Sequence, residues 1–253
     1  MKILLGFFGF IRKLITVDEI INFKKLIPSN ATIEVCINCP NKINEFSNDN
    51  ISDETIQSLR NIFSSSDIKI ADFTIFEYTP QKYVSKAKSK NFPFQTESVK
   101  LYPFRIFSLF DGISTLCQNM INQSIYDVYI LTRFDLLKDI HSLGNCIINT
   151  NDTNIHIWRT SPYCSITDAD DRLIISSFYG IKILTQLYNF IDVLDYDDTT
   201  FWTEKIMGKF LITHEDLQKN PLQDVIINLS CNIYKKYSDD MNKNCSRLWN
   251  MTM

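Results

Sequence analysis

An apolar run that begins at Tyr126 closes on three residues with chemistry in them, Arg133-Phe134-Asp135. Val128-Tyr129-Ile130-Leu131 reads as a buried strand. A guanidinium and a carboxylate at its carboxyl end need a partner or a ligand, because unpaired buried charge is costly. In open α/β sheets that edge is where ligands bind. A carboxylate there can hold a divalent ion on a diphosphate, and a guanidinium can hold phosphate. The structural alternative is an ion pair of Arg133 with Asp127 or Asp139.

Other residues offer related chemistry. Gly6-Phe7-Phe8-Gly9-Phe10-Ile11-Arg12 ends the first strand. Its glycines let the chain turn and backbone N–H groups approach a nucleotide, and Arg12 can pair with phosphate. The segment is neither a Walker loop nor a Gly-x-Gly-x-x-Gly fingerprint, and a plain turn with a surface Arg is the alternative. Asp168, Asp170 and Asp171 precede Arg172. Clustered carboxylates raise one another's pKa, as a base or metal site requires. Asp170 and Asp171 are the stronger candidates, because Leu173-Ile174-Ile175 anchors them; an exposed polar loop is the alternative. Cys36-Ile37-Asn38-Cys39 has no second close cysteine pair for zinc and precedes Pro40 rather than a helix start. His141, His156 and His214 are scattered and support neither a hydrolase triad nor a zinc-protease motif.

These residues need elements to position them. Strands are expected at Ile3–Phe8, Thr32–Asn38, Ile68–Tyr78 and 127–132, and helices at Val17–Leu26 (Asp18 as cap), Ser52–Phe63 and Arg105–Met120. Gln81–Asn91 carries four lysines with little apolar periodicity and is expected as a mobile surface loop. This alternation implies a mainly parallel sheet with helices on both faces. Beyond Asp135 the expectations are short strands at Ile147–Ile148 and Ile155–Trp158, paired as a hairpin through Asn151-Asp152, and another at Leu173–Ser176. Helices are expected at Tyr179–Phe190, Thr199–Met207, His214–Leu217 and Leu222–Tyr234. A single domain over residues 1–253 follows, with 1–135 as a nucleotide-binding half and 136–253 as an acceptor half on one shared sheet.

Composition narrows the class. The chain has 253 residues, 45% hydrophobic and 22% charged, with a net charge of -3, ordinary for a globular protein. That charge gives no footprint for duplex nucleic acid. Seven cysteines at irregular spacing and no secretory segment are expected to be free thiols in a reducing compartment. No apolar run reaches the roughly 18 residues that span a bilayer, and the expected location is cytoplasmic.

Several motifs occur in an order that resembles a known family: Phe8-Gly9-Phe10-Ile11-Arg12, Arg105-Ile106-Phe107-Ser108-Leu109, Tyr126 through Asp135, Asp170-Asp171-Arg172-Leu173-Ile174-Ile175, and His214-Glu215-Asp216-Leu217. Over about residues 1–235 the chain resembles GT-A-type glycosyltransferases of large DNA viruses, notably chlorella viruses, and of bacterial polysaccharide clusters. The resemblance implies a GT-A-like, Rossmann-like fold, a nucleoside-diphosphate sugar as donor, and a glycan acceptor. It also implies a divalent metal, Mn²⁺ or Mg²⁺, held near Asp135. Gly9, Arg12, Arg105, Ser108 and Arg133 would contact the donor, and Asp170 or Asp171 would deprotonate the acceptor or contact a sugar hydroxyl. In a virus the location would be the host cytoplasm. The chain departs from the family by carrying Arg-x-Asp in place of Asp-x-Asp, which bears on metal dependence, and Thr213-His214 where a Pro is expected. Two other readings stay open. A sugar nucleotidyltransferase would want a Gly- and Arg/Lys-rich loop, which Phe7-Phe8 fits poorly. The other is a non-catalytic glycan- or protein-binding relative with a degenerate site.

Overall fold

The computed structural model describes residues 1–44, 47, 49–92, 103–143, 147, 154–157, 172–194, 203–215 and 218–221. Strands β1 (Lys2–Phe8), β2 (Thr32–Pro40), β3 (Lys69–Phe76) and β4 (Val128–Arg133) all run parallel. They are extended by β5 (Asn154–Ile157), β6 (Leu173–Ser176) and β7 (Gln218–Pro221). All seven join one sheet in the order β3-β2-β1-β4-β6-β5-β7. Only β6 opposes its neighbours, pairing antiparallel with β4 and β5. The fold is the expected α/β class, with one sheet running through both halves of the chain.

The sheet is covered on both faces, which explains the near-continuous apolar runs of β1 and β4. On one face Leu4 and Phe8 meet α4 (Pro103–Ile121) through residues such as Phe107, Phe110 and Leu116. On the other, Ile3, Leu5 and Phe7 share a core with Ile20 and Phe23 of α1 (Val17–Lys24) and Leu59 and Phe63 of α2 (Asp53–Ser65). Thr16, rather than the expected Asp18, caps α1: its hydroxyl accepts from the Glu19 N–H, and the Glu19 carboxylate accepts from the Thr16 N–H at 2.8 Å. This reciprocal pair satisfies two donors that would otherwise lack intrahelical partners.

Several expectations are corrected. The lysine-rich 81–91 segment is largely a helix, α3 (Pro80–Ser89), with Tyr83, Val84 and Ala87 buried. Three apolar residues on one stripe suffice to dock it, and Pro80 suits its first turn. The expected helix at 179–190 breaks into α5 (Phe178–Leu184) and α6 (Leu187–Phe190). Both edges of β5 are taken by β6 and β7 rather than by the expected hairpin partner; Ile147 lies in a turn, and Ile148 lies outside the described residues. The helix expected at 199–207 is α7 (Thr203–Ile212). After it His214 and Glu215 leave helical geometry, and β7 follows at 218. The helix expected at 222–234 lies outside the described residues. No helix among the described residues is long and apolar enough to cross a membrane.

Gly6, read as part of a turn, instead sits inside β1. A Cβ there would lie 2.9 Å from both Leu116 Cδ2 and Met120 Sδ of α4. Glycine lets the helix seat closely on the strand. A Gly6→Val substitution overpacks this contact and is expected to cost about 1–3 kcal/mol, read as a lower urea midpoint at unchanged slope.

Candidate active site

The strand order reverses beside β1: β2 and β3 step outward on one side, and the chain then returns to place β4 on the other. A crevice opens at the carboxyl ends of the strands flanking such a reversal, and ligands bind there. The chain leaves β1 through Gly9, whose φ of +84° is a left-handed value that strains any residue with a Cβ. That turn brings Arg12 back toward the end of β4. There Arg133, the last residue of β4, lies in register with Phe8.

Phe134 stacks on Phe7 at 4.8 Å and is buried. With Phe134 pinned in the core, its two neighbours meet each other. Arg133 donates through Nε to Asp135 Oδ1 at 3.0 Å and through Nη2 to Oδ2 at 2.7 Å. Arg12 Nη1 stands 3.9 Å from the same Oδ2. The Arg133 and Asp135 side chains are 20% and 22% exposed and Arg12 39%. Arg133 therefore pairs with Asp135 itself, not with Asp127 or Asp139; Asp127 instead accepts the Lys2 N–H at 2.7 Å. Burial pushes the Asp135 carboxyl up, but the Arg133 charge, its hydrogen bonds and Arg12 outweigh burial and hold it below the ordinary carboxylate range.

This arrangement suits an anion better than a metal ion. Both Asp135 oxygens are engaged by guanidinium N–H groups, and a second guanidinium stands by. Two unit charges about 4 Å apart repel by roughly 4 kcal/mol at an effective dielectric near 20, and a divalent ion doubles that. A cation on Asp135 would face that repulsion from both arginines. Among the described residues no three His, Cys, Asp or Glu side chains gather as a metal set. The Asp135 carboxylate as placed does not fit the role of cation ligand.

The other candidates distribute as follows. Asn38 Nδ2 donates to the Gly112 carbonyl at 3.3 Å, so mid-α4 lies level with the end of β2. Leu116 and Met120 lie level with Gly6, deeper in the sheet. Arg105 and Ser108, half-buried one to two turns before Gly112, therefore sit past the strands' carboxyl ends, on the Gly9 and Arg133 edge. Asp170 and Asp171 lie outside the described residues. Arg172, next in sequence, offers its carbonyl to the buried Thr132 hydroxyl at 3.0 Å. Thr132, absent from the sequence candidates, thus ties β4 to the segment after the Asp pair. Phe10 meets Tyr78 edge-on at 4.9 Å, and Tyr83 donates to Asp111 at 2.7 Å. Cys36 and Cys39 enter opposite cores, as residues three apart on a strand must, so they share no metal. Burial pushes the Cys39 thiol up to about 12, and Cys36 rises through burial and Asp72.

No protein-family profile matches this chain, and no curated protein matches it in sequence. Among solved structures it is similar to an active-site mutant of LgtC, at 12% identity over 83% of this chain and 70% of LgtC, with a TM-score of 0.38. It is also similar to the glycosyltransferase GlyE of Streptococcus pneumoniae TIGR4, at 10% identity over 100% of this chain and 51% of GlyE, with a TM-score of 0.43. The galactosyltransferase LgtC in complex with donor and acceptor sugar analogs overlaps with a TM-score of 0.34 at 12% identity, over 83% of this chain and 70% of LgtC. Overlaps this loose decide nothing about the chemistry of this chain.

Asp135→Asn removes the anion between two guanidiniums and is expected to cost about 1–3 kcal/mol at neutral pH. A carboxyl with a lowered folded value contributes fully above its unfolded value, near 4, and loses that contribution as pH falls through the folded value. The stability gap between wild type and Asp135→Asn should therefore be constant above about pH 4 and close below it. Urea titrations of both proteins across the acid range measure this.

Proposed function

We propose that this chain is a GT-A-like glycosyltransferase that moves a sugar from a nucleoside diphosphate to a hydroxyl of a glycan acceptor. One observation carries the reading: Arg12, Arg133 and Asp135 meet at the carboxyl end of β4, beside the reversal of strand order, where open α/β sheets bind their ligands. The motif order described for the sequence supports it, and the viral or surface-glycan setting rests on that resemblance alone.

In the proposed reaction the acceptor hydroxyl oxygen bonds to the anomeric carbon and gives its proton to a carboxylate. The bond from that carbon to the diphosphate oxygen breaks, and its electron pair leaves on the diphosphate. Arg12 and Arg133 would face the diphosphate, and preorganised donors aimed at developing negative charge are worth most in a partly desolvated site. Gly9 allows the backbone to approach the nucleotide, and Arg105 and Ser108 extend the donor pocket from α4. Asp170 or Asp171 is the proposed base, placed in sequence just before the Arg172–Thr132 tie. A catalytically silent glycan-binding relative would share the fold but lack turnover.

A panel of UDP-, GDP- and dTDP-sugars, assayed for hydrolysis and for transfer to oligosaccharides, tests the reading. At least one donor should turn over, and Arg133→Gln should lower kcat by about 10²–10³-fold with its circular dichroism unchanged. Nucleoside-diphosphate binding without turnover of any donor would favour the silent relative.

A further inference from the structure

Resting on the reading above, we propose that Arg12 and Arg133 take the place of a metal ion at the departing diphosphate, with Asp135 as the residue that positions them. Donor binding and turnover would then need no divalent cation. Two guanidiniums held near one another repel, and an anion between them offsets that repulsion. Asp135 is that anion: Arg133 grips it with two parallel N–H···O bonds, at 3.0 and 2.7 Å, and Arg12 stands 3.9 Å from one of its oxygens. Phe134, stacked on Phe7, fixes where the pair forms. The positive groups are therefore in position before the donor arrives, the condition under which they stabilise developing charge without reorganising. When the bond from the anomeric carbon to the phosphate oxygen breaks, the electron pair passes to that oxygen and the two guanidiniums balance it.

The test compares the full chain, dialysed against EDTA until elemental analysis detects no divalent metal, with the same sample given Mn²⁺ or Mg²⁺. Calorimetry uses UDP, GDP and dTDP, and turnover uses the donor found active. Nucleotide affinity and kcat in EDTA should stay within about threefold of their values in Mn²⁺. Arg12→Gln and Arg133→Gln should each lower kcat by on the order of 10²-fold in EDTA. Asp135→Asn, which keeps both guanidiniums but not their spacing, should lose about tenfold in kcat, and Asp135→Glu should recover part of that loss, which a purely structural role would not produce. Activity abolished by EDTA and restored by Mn²⁺ would overturn the proposal while leaving glycosyl transfer intact. No heat from any nucleotide in either condition, and no transfer, would overturn the underlying reading and this proposal with it. The chelator comparison needs no variant, so it decides even if a substituted chain fails to fold.

Discussion

The arrangement of this molecule depends on one constraint: β1 is paired parallel on both edges and buried on both faces. Ile3, Leu5 and Phe7 feed one core and Leu4 and Phe8 the other. Because β2 lies on one side and β4 on the other, the connections after β1 and after β4 emerge together at the carboxyl edge. Gly6 lets α4 seat against this strand, and Gly9 turns the chain out of it. Disturbing β1 would displace the carboxyl edge of the sheet and the helices above and below it together.

The charged group at that edge is a consequence of packing as much as of charge. Phe134 enters the core against Phe7, which commits the residues on either side to the rim of the sheet. A guanidinium and a carboxylate two residues apart then close a two-bond pair, and Arg12 arrives from the neighbouring turn. The pair's two-bond geometry and partial burial set it apart from an exposed ion pair, whose worth is seldom above about 1 kcal/mol. It is also directional, because the carboxylate holds the Arg133 fork in one plane.

Seen this way, the site is built around positive charge with one carboxylate inside it. That differs from a metal centre, in which carboxylates surround a cation. In the proposed reaction both designs would answer one requirement: negative charge accumulating on a departing phosphate must be met by something already in position. Arginine does so with a fixed plane of donors and no dependence on ion supply.

The sequence alone pointed to the α/β class and a mainly parallel sheet, and it named Gly9, Arg12, Arg133 and Asp135 as residues at or just beyond strand ends. Each of these follows from local periodicity and from the rule that strand-ending charges lie at a crevice. Tertiary structure decided what local patterns leave open. Four lysines hid the stripe of Tyr83, Val84 and Ala87, so α3 read as a loop until its docking surface was present. Gly6 read as a turn because its purpose, close contact with Leu116 and Met120, lies across the core in a helix far along the chain. Arg133 could have paired with Asp127 or Asp139 by charge alone; Asp127 stands at the opposite end of β4, and the burial of Phe134 sets Arg133 beside Asp135. Spacing along a chain names the groups that can interact, and only packing in three dimensions chooses among partners of equal charge.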